Sequence, residues 1–159
     1  MQSAYGGAPT ATSSVSFSVY RAHRELNDWE EQTVNPSIDS SVQSQVQVSQ
    51  DLVASGTIMM VPCYAADAVD DATVDIDGWT TGAQNYIKVY TPYKNGEVGT
   101  SQRHNGKWSD SYYNIQLSGF EPFFIREPNV RINGLQILNS YTDGESSVLS
   151  VYHPNDTSI

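Results

Sequence analysis

Short apolar pulses recur along most of this chain, each closed by Gly, Pro, Asn or Asp. From residue 51 onward they read "GTIMMVPCY", "ATVDIDGW", "NYIKVYTP", "SYYNIQLSG", "EPFFIREP", "NVRINGLQIL" and "SSVLSVYH". Brief runs rich in Val, Ile, Tyr and Phe with such boundaries predict strands. Before them, "VSFSVYR" alternates Val15, Phe17 and Val19 with polar partners, the period of a half-buried strand. "HRELNDWEEQT" predicts a helix with Leu26 and Trp29 on one face, ended at Asn35-Pro36. Residues 37 to 50 fit neither period decisively, and residues 1 to 14 have the composition of a flexible lead.

Two of the pulses share a cadence. Val74-Asp75-Ile76-Asp77-Gly78-Trp79 and Val130-Arg131-Ile132-Asn133-Gly134-Leu135 both run apolar, polar, Ile, Asp or Asn, Gly, large apolar. With Val74, Ile76, Val130 and Ile132 facing a core, Asp75, Asp77, Arg131 and Asn133 face outward. Each Gly then turns a corner without reversing the chain, and Leu135 and Ile137 resume the inward face. That plan predicts an all-β fold, a partial right-handed parallel β-helix with an N-terminal capping helix. The alternative is an antiparallel β-sandwich, in which "DGW" is a hairpin turn and Lys94-Asn95-Gly96 and Asp143-Gly144 are further ones. Residues 15–50 form the strand and capping-helix region, and residues 51–159 the coils.

The run "DGWTTGAQNYIKVYTP", with "GTSQRHNGKW" and "VRINGLQI", resembles a recurring group of bacterial and phage-associated proteins. Their N-terminal parts are predicted to be right-handed parallel β-helices. The resemblance spans about residues 51 to 138 and extends loosely to the "LNDWEEQ" helix. It implies a fold and no catalytic residue, because the group has no settled activity. Its members continue for many more coils, so the resemblance implies either a fragment or a last coil closed by a partner chain.

Composition narrows the function. The 159 residues suffice for one domain with a real core. Eighteen acidic against eight basic residues give a net charge of −10, and Lys and Arg form no cluster along the sequence. Nucleic acid and anionic membranes are therefore poor partners. No stretch approaches the ~20 apolar residues of a membrane span, and no signal peptide is visible. Cys63 is the single cysteine and sits among apolar neighbours, which favours an inert thiol.

Candidate chemistry is sparse. No cofactor is expected, though Asp75 and Asp77 share a strand face downstream of Asp67, Asp70 and Asp71, an arrangement compatible with Ca²⁺. On that basis a lyase acting on acidic glycans would use Lys88 or Arg131 as base. The segment "QRHNGKW" gathers Arg103, His104, Lys107 and Trp108, with Tyr112 and Tyr113 close behind, a set that fits a sugar or carboxylate contact. Its plainer reading is an Asn105-Gly106 turn with Trp108 tucked against a sheet. Glu121 and Glu127 could be paired as glycosidase carboxylates, but the prolines beside them suggest an irregular edge, while His23 and His153 lie in no nucleophile motif. The expectation is a structural or adhesive, non-catalytic module of a bacterial surface protein or a phage particle. Its partner is a glycan, or another copy or continuation of the chain at the open coil end. The remaining alternatives are the lyase and a lectin-like sandwich.

Overall fold

The computed structural model describes residues 19–65, 69–94, 101–119, 123–144 and 146–152. The expected lead, the strand positions Val15 and Phe17, the Asn95-Gly96 turn, Asp67, Glu121 and His153 lie outside them. The chain is mostly strand, with three one-turn helices near its start. These are α1 (Leu26–Glu30), α2 (Ser40–Gln43) and α3 (Leu52–Ser55). Asp39 and Asp51 cap the second and third through side-chain oxygens, and Gly56 ends α3 in the left-handed region. The reading of residues 51 to 55 as β is thus corrected: Asp51 and Gly56 are start and stop signals around one helical turn that buries Leu52.

Eight strands follow: β1 (Met59–Pro62), β2 (Val74–Ile76), β3 (Ile87–Tyr90), β4 (Ile115–Leu117), β5 (Phe123–Ile125), β6 (Val130–Asn133), β7 (Ile137–Asn139) and β8 (Ser150–Val151). They form three small parallel sheets. The first has the order β1-β3-β6, the second is β4-β7, and the third is β2-β5-β8. Every pairing between these strands is parallel, so the antiparallel sandwich does not describe them. Strand order along the chain is informative: β3, β4 and β5 visit sheets one, two and three, and β6, β7 and β8 repeat the visit. Ahead of them β1 and β2 occupy sheets one and three, and Asp70 between them bridges Ile115 of sheet two in the parallel sense.

Register carries the packing. Ile87 and Val89 lie between Met59 and Val61 on one side and Val130 and Ile132 on the other. Val74 and Ile76 lie against Phe123 and Ile125, and Ile115 against Ile137. Like parity therefore meets like parity between neighbouring strands. The residues of the middle visit, Ile87, Val89, Ile115 and Phe123, are wholly buried, each worth about 1.5–3 kcal/mol by removal from water. Those of the last visit, Val130, Ile132 and Ile137, are only partly buried. The first visit is covered: α1 packs on β2, burying Leu26 and Trp29, and the Trp29 and Trp79 rings stack 5.2 Å apart.

The two matching segments both end as expected, with Gly78 at φ +76° and Gly134 at φ +80°. They do not stack on each other. Val74–Ile76 belongs to the third sheet and Val130–Asn133 to the first, so one strand-and-corner unit serves at two different edges of the fold. The corners also differ in crowding. Space beside Gly78 is open, whereas a Cβ on Gly134 would collide with the Arg103 guanidinium and with Thr91 Oγ1. We expect Gly78→Ala to cost about 1 kcal/mol, the left-handed penalty alone. Gly134→Ala should cost at least about 2 kcal/mol, because strain and steric overlap add. Urea unfolding of both variants checks the order, and equal losses would refute the crowded corner.

Candidate functional site

The loop expected to touch sugar divides into a buried and an exposed part. Arg103 lies across the Gly134 corner, donating from its guanidinium to Thr91 Oγ1 (3.3 Å), to the Thr91 carbonyl (3.0 Å) and to the Asn133 carbonyl (3.4 Å). It also stacks on Tyr93, 4.3 Å from the ring centre. Its hydrogen-bonding capacity is directed inward, which makes it a clamp between β3's end and β6's end. His104 is half-buried, and its Nδ1 accepts from the Gly106 N–H at 3.0 Å. Lys107 and Trp108 are exposed, with the indole N–H donating to Asp110 (2.9 Å), so Trp108 is not tucked against a sheet.

Tyr112 is half-buried, while Tyr113 is buried and cannot stack on a glycan. Tyr113 lies just before β4, and its hydroxyl reaches in to the buried Asp70 carboxylate. Gln136 was equally unexpected. It faces away from the core between Leu135 and Ile137, yet it is buried because the loop lies over it. Its amide bonds the Ser109 N–H and carbonyl and the Tyr113 carbonyl, fastening that loop to the second sheet.

Of the two carboxylates considered for Ca²⁺, that of Asp75 is held in an ion pair. Asp75 accepts from Arg126 Nε through both oxygens, at 2.8 and 3.0 Å, and Asp77 is exposed with its backbone N–H directed to Glu30. Among the described residues no group of three or more His, Cys, Asp or Glu is placed to hold a metal ion. Lys88 and Arg131 stand on the first sheet and Asp75 on the third, so the lyase constellation is not brought together. Glu127 accepts the Trp79 backbone N–H at 2.8 Å and holds the Gly78 corner.

Sequence alone gave no sign of the cluster around Asp70. This carboxylate is buried at the covered end of the core. Its Oδ2 accepts from the Tyr113 hydroxyl at 2.5 Å and from the Leu26 N–H at 3.0 Å. The second bond caps α1 from a distant part of the chain, since Glu25 supplies no side-chain cap of its own. Beside it a cleft of about 310 Å³ opens between residues 21–29 and β1, lined by Leu26, Trp29, Met59, Val61 and Cys63. Burial, countered in part by these hydrogen bonds, raises the Asp70 pKa above the ordinary aspartate range. Burial also pushes the Cys63 thiol up to about 12 and the Tyr113 hydroxyl well above its usual value. A thiol in that state offers negligible thiolate near neutrality, so the cleft has no activated nucleophile. The indole N–H groups of Trp29 and Trp79 have no hydrogen-bond acceptor among the described residues.

Comparison with family models, with curated proteins and with solved structures finds no match. Among the described residues no helix is long and apolar enough to cross a membrane.

The Asp70 cluster makes a pH prediction. A carboxyl whose folded pKa is raised stabilises the fold while protonated, and that contribution disappears as pH rises through the folded value. Asp70→Asn keeps an acceptor for Leu26 and Tyr113 but cannot ionise. It should therefore lose less stability than the parent as pH climbs from the acidic range to neutrality. Asp70→Ala strands two buried donors and should cost about 2–3 kcal/mol at acidic pH, the difference from the parent narrowing as pH rises. Denaturant midpoints across pH check both, and parallel profiles for the parent and Asp70→Asn would overturn the assignment.

Proposed function

We propose that this chain is a non-catalytic structural and adhesive module, a partial parallel β-helix that presents its outer faces and one open end. The sheet order supports the coil, since a chain meeting three parallel sheets in constant rotation winds progressively. Parallel crossovers within one sheet are right-handed in about 98% of cases, which gives the winding its hand. The observation that carries the functional reading is the difference between the two ends. Helix α1 covers the β2 end, whereas β6, β7 and β8 each terminate their sheets among the described residues.

Edge strands present unpaired N–H and C=O groups and are templates for another chain unless blunted. The inward side chains of this last visit are left partly wet: Val130, Ile132 and Ile137 are half-buried, and Val151, register partner of the buried Ile125, is exposed. A further coil stacked there would pair the backbone and bury Val130, Ile132 and Ile137, as the middle visit buries its own residues. Either a second copy or a continuation of the same chain supplies that coil. The surface or particle setting follows from this use, as a stiff winding displays loops at fixed positions. An enzymatic reading draws little support from these groups: Asp75 is ion-paired, Asp70 and Glu127 hold backbone N–H groups, and burial keeps the Cys63 thiol protonated.

Sedimentation equilibrium tests the open end. The isolated chain should self-associate in a concentration-dependent way, and Ile132→Lys, which places a charge on the uncovered inner surface, should shift it to monomer. A parent that stays monomeric at high concentration, with no added coil to bind, would sink the proposal.

A further inference from the structure

We infer that the outer face of the first sheet binds a carboxylated polysaccharide of the uronate type, through Lys88 and Arg131. Alternation along β3 and β6 turns both side chains away from the core, because Ile87, Val89, Val130 and Ile132 face inward. Lys88 and Arg131 are register partners on adjacent parallel strands, which sets their Cα atoms about 4.8 Å apart. Like charges at facing positions destabilise a sheet by several tenths of a kcal/mol. Among the described residues neither has a carboxylate within ion-pair distance, and neither donates a hydrogen bond to a protein acceptor. Arg21, Arg24, Arg103 and Arg126, by contrast, are all committed to protein oxygens. In a chain of net charge −10, two adjacent unneutralised cations are unexplained by the fold itself.

Aromatic rings hold them in place. The Arg131 guanidinium lies 3.4 Å from the centre of the Tyr86 ring, and Lys88 Nζ lies 4.7 Å from that of Tyr90. A guanidinium flat on a ring keeps its in-plane N–H donors directed outward, the fork that a carboxylate accepts. Lys88 adds a second point charge one rung away, and Asn133 places an exposed amide beside them on the same strand as Arg131. Tyrosine and amide groups suit hydroxyls, and the two cations suit an acid, so the set fits a sugar acid.

The shape selects a polymer. Arg131 and Asn133 are exposed on this face, unlike Leu26, Trp29 and Val61 in the cleft beside Asp70, so a single small anion would keep most of its water and bind weakly. A chain of repeating uronates meets both cations and continues along the sheet, adding contacts without a pocket. An extended acidic peptide is less suited, because strand addition at the β6 edge would run alongside the sheet and not across the outer face that carries Lys88 and Arg131 together. Repulsion from the chain's many carboxylates is screened beyond about 8 Å at physiological salt, so the local cations dominate.

This assignment deepens the adhesive reading and rests on it for its purpose, but its test is separate. Affinity electrophoresis is run on the full chain in gels containing polygalacturonate, its methyl ester or poly-glutamate. The parent should be retarded by polygalacturonate alone, and added salt should relieve the retardation. The double variant Lys88→Gln/Arg131→Gln should bind roughly tenfold or more weakly, a loss expected of two charge-assisted contacts. Arg126→Gln, which removes a positive charge on the third sheet where Arg126 pairs with Asp75, should bind as the parent does. Unchanged circular dichroism and thermal unfolding show that the double variant is folded; should it fail to fold, Arg131→Gln alone must show the loss. No retardation by polygalacturonate, equal retardation by its ester or by poly-glutamate, or full binding by a folded double variant would each overturn the inference. None of those results bears on self-association, which decides the module reading independently.

Discussion

In-register parallel pairing is the constraint from which the rest of this structure follows. When Ile87 faces Met59 and Val130, and Val74 faces Phe123, each strand must show its neighbours the same parity or lose its core altogether. A slip of one residue would send Lys88 and Arg131 inward and Ile87 and Val130 into water. Register is thereby fixed by burial, and burial also fixes what the outer faces display. The aromatic-held cations of the first sheet and the Asp75–Arg126 pair of the third are consequences of the same alternation.

That alternation was the part of the fold most legible in the sequence. Val74 and Ile76 are buried, Asp75 and Asp77 point outward, and both Gly78 and Gly134 hold left-handed corners. The pattern did not reveal which sheet each segment joins. A strand ending in Gly is a local statement, while stacking partners depend on the lengths of the loops between, and these vary from one visit to the next. The Ser109–Tyr113 loop illustrates the cost. An outward parity at Gln136 ordinarily means solvent, but a loop held by that very side chain covers it.

Candidate chemistry was less legible, for a related reason. A cluster in sequence such as Arg103, His104, Lys107 and Trp108 is spread by the fold over different tasks, and Arg103 ends as a clamp on the Gly134 corner. Tyr113 left the sugar-binding set through its contact with Asp70, which no local pattern foretells. Asp70 carried no signal either. Its role arises from a contact with Leu26 and another with Tyr113, each more than forty residues away. Conversely, Lys88 and Arg131 stand forty-three positions apart and become neighbours only through β3 and β6. The sequence-level view that basic residues form no cluster is true of the string and incomplete for the surface.

The two sides of the strand layers differ in how well their polar and apolar demands are met. At the covered end, α1 lays Leu26 and Trp29 on β2, and Asp70 satisfies the first N–H of the helix, so polar and apolar demands close together. Nothing equivalent closes the β6–β7–β8 layer among the described residues, where inward side chains remain half-wet and backbone edges remain open. Cooperativity in stacked architectures comes from interfaces between neighbouring layers, so an uncovered terminal layer is the weakest. Adding a layer there gains burial without altering anything beneath it. The outer faces keep their registers through that addition, and the Lys88–Arg131 pair would then sit inside a longer cationic and aromatic stripe only if the added strand continues it. In the proposed reading, assembly and ligand contact would use perpendicular directions of one lattice, the first along the stack and the second across its sides.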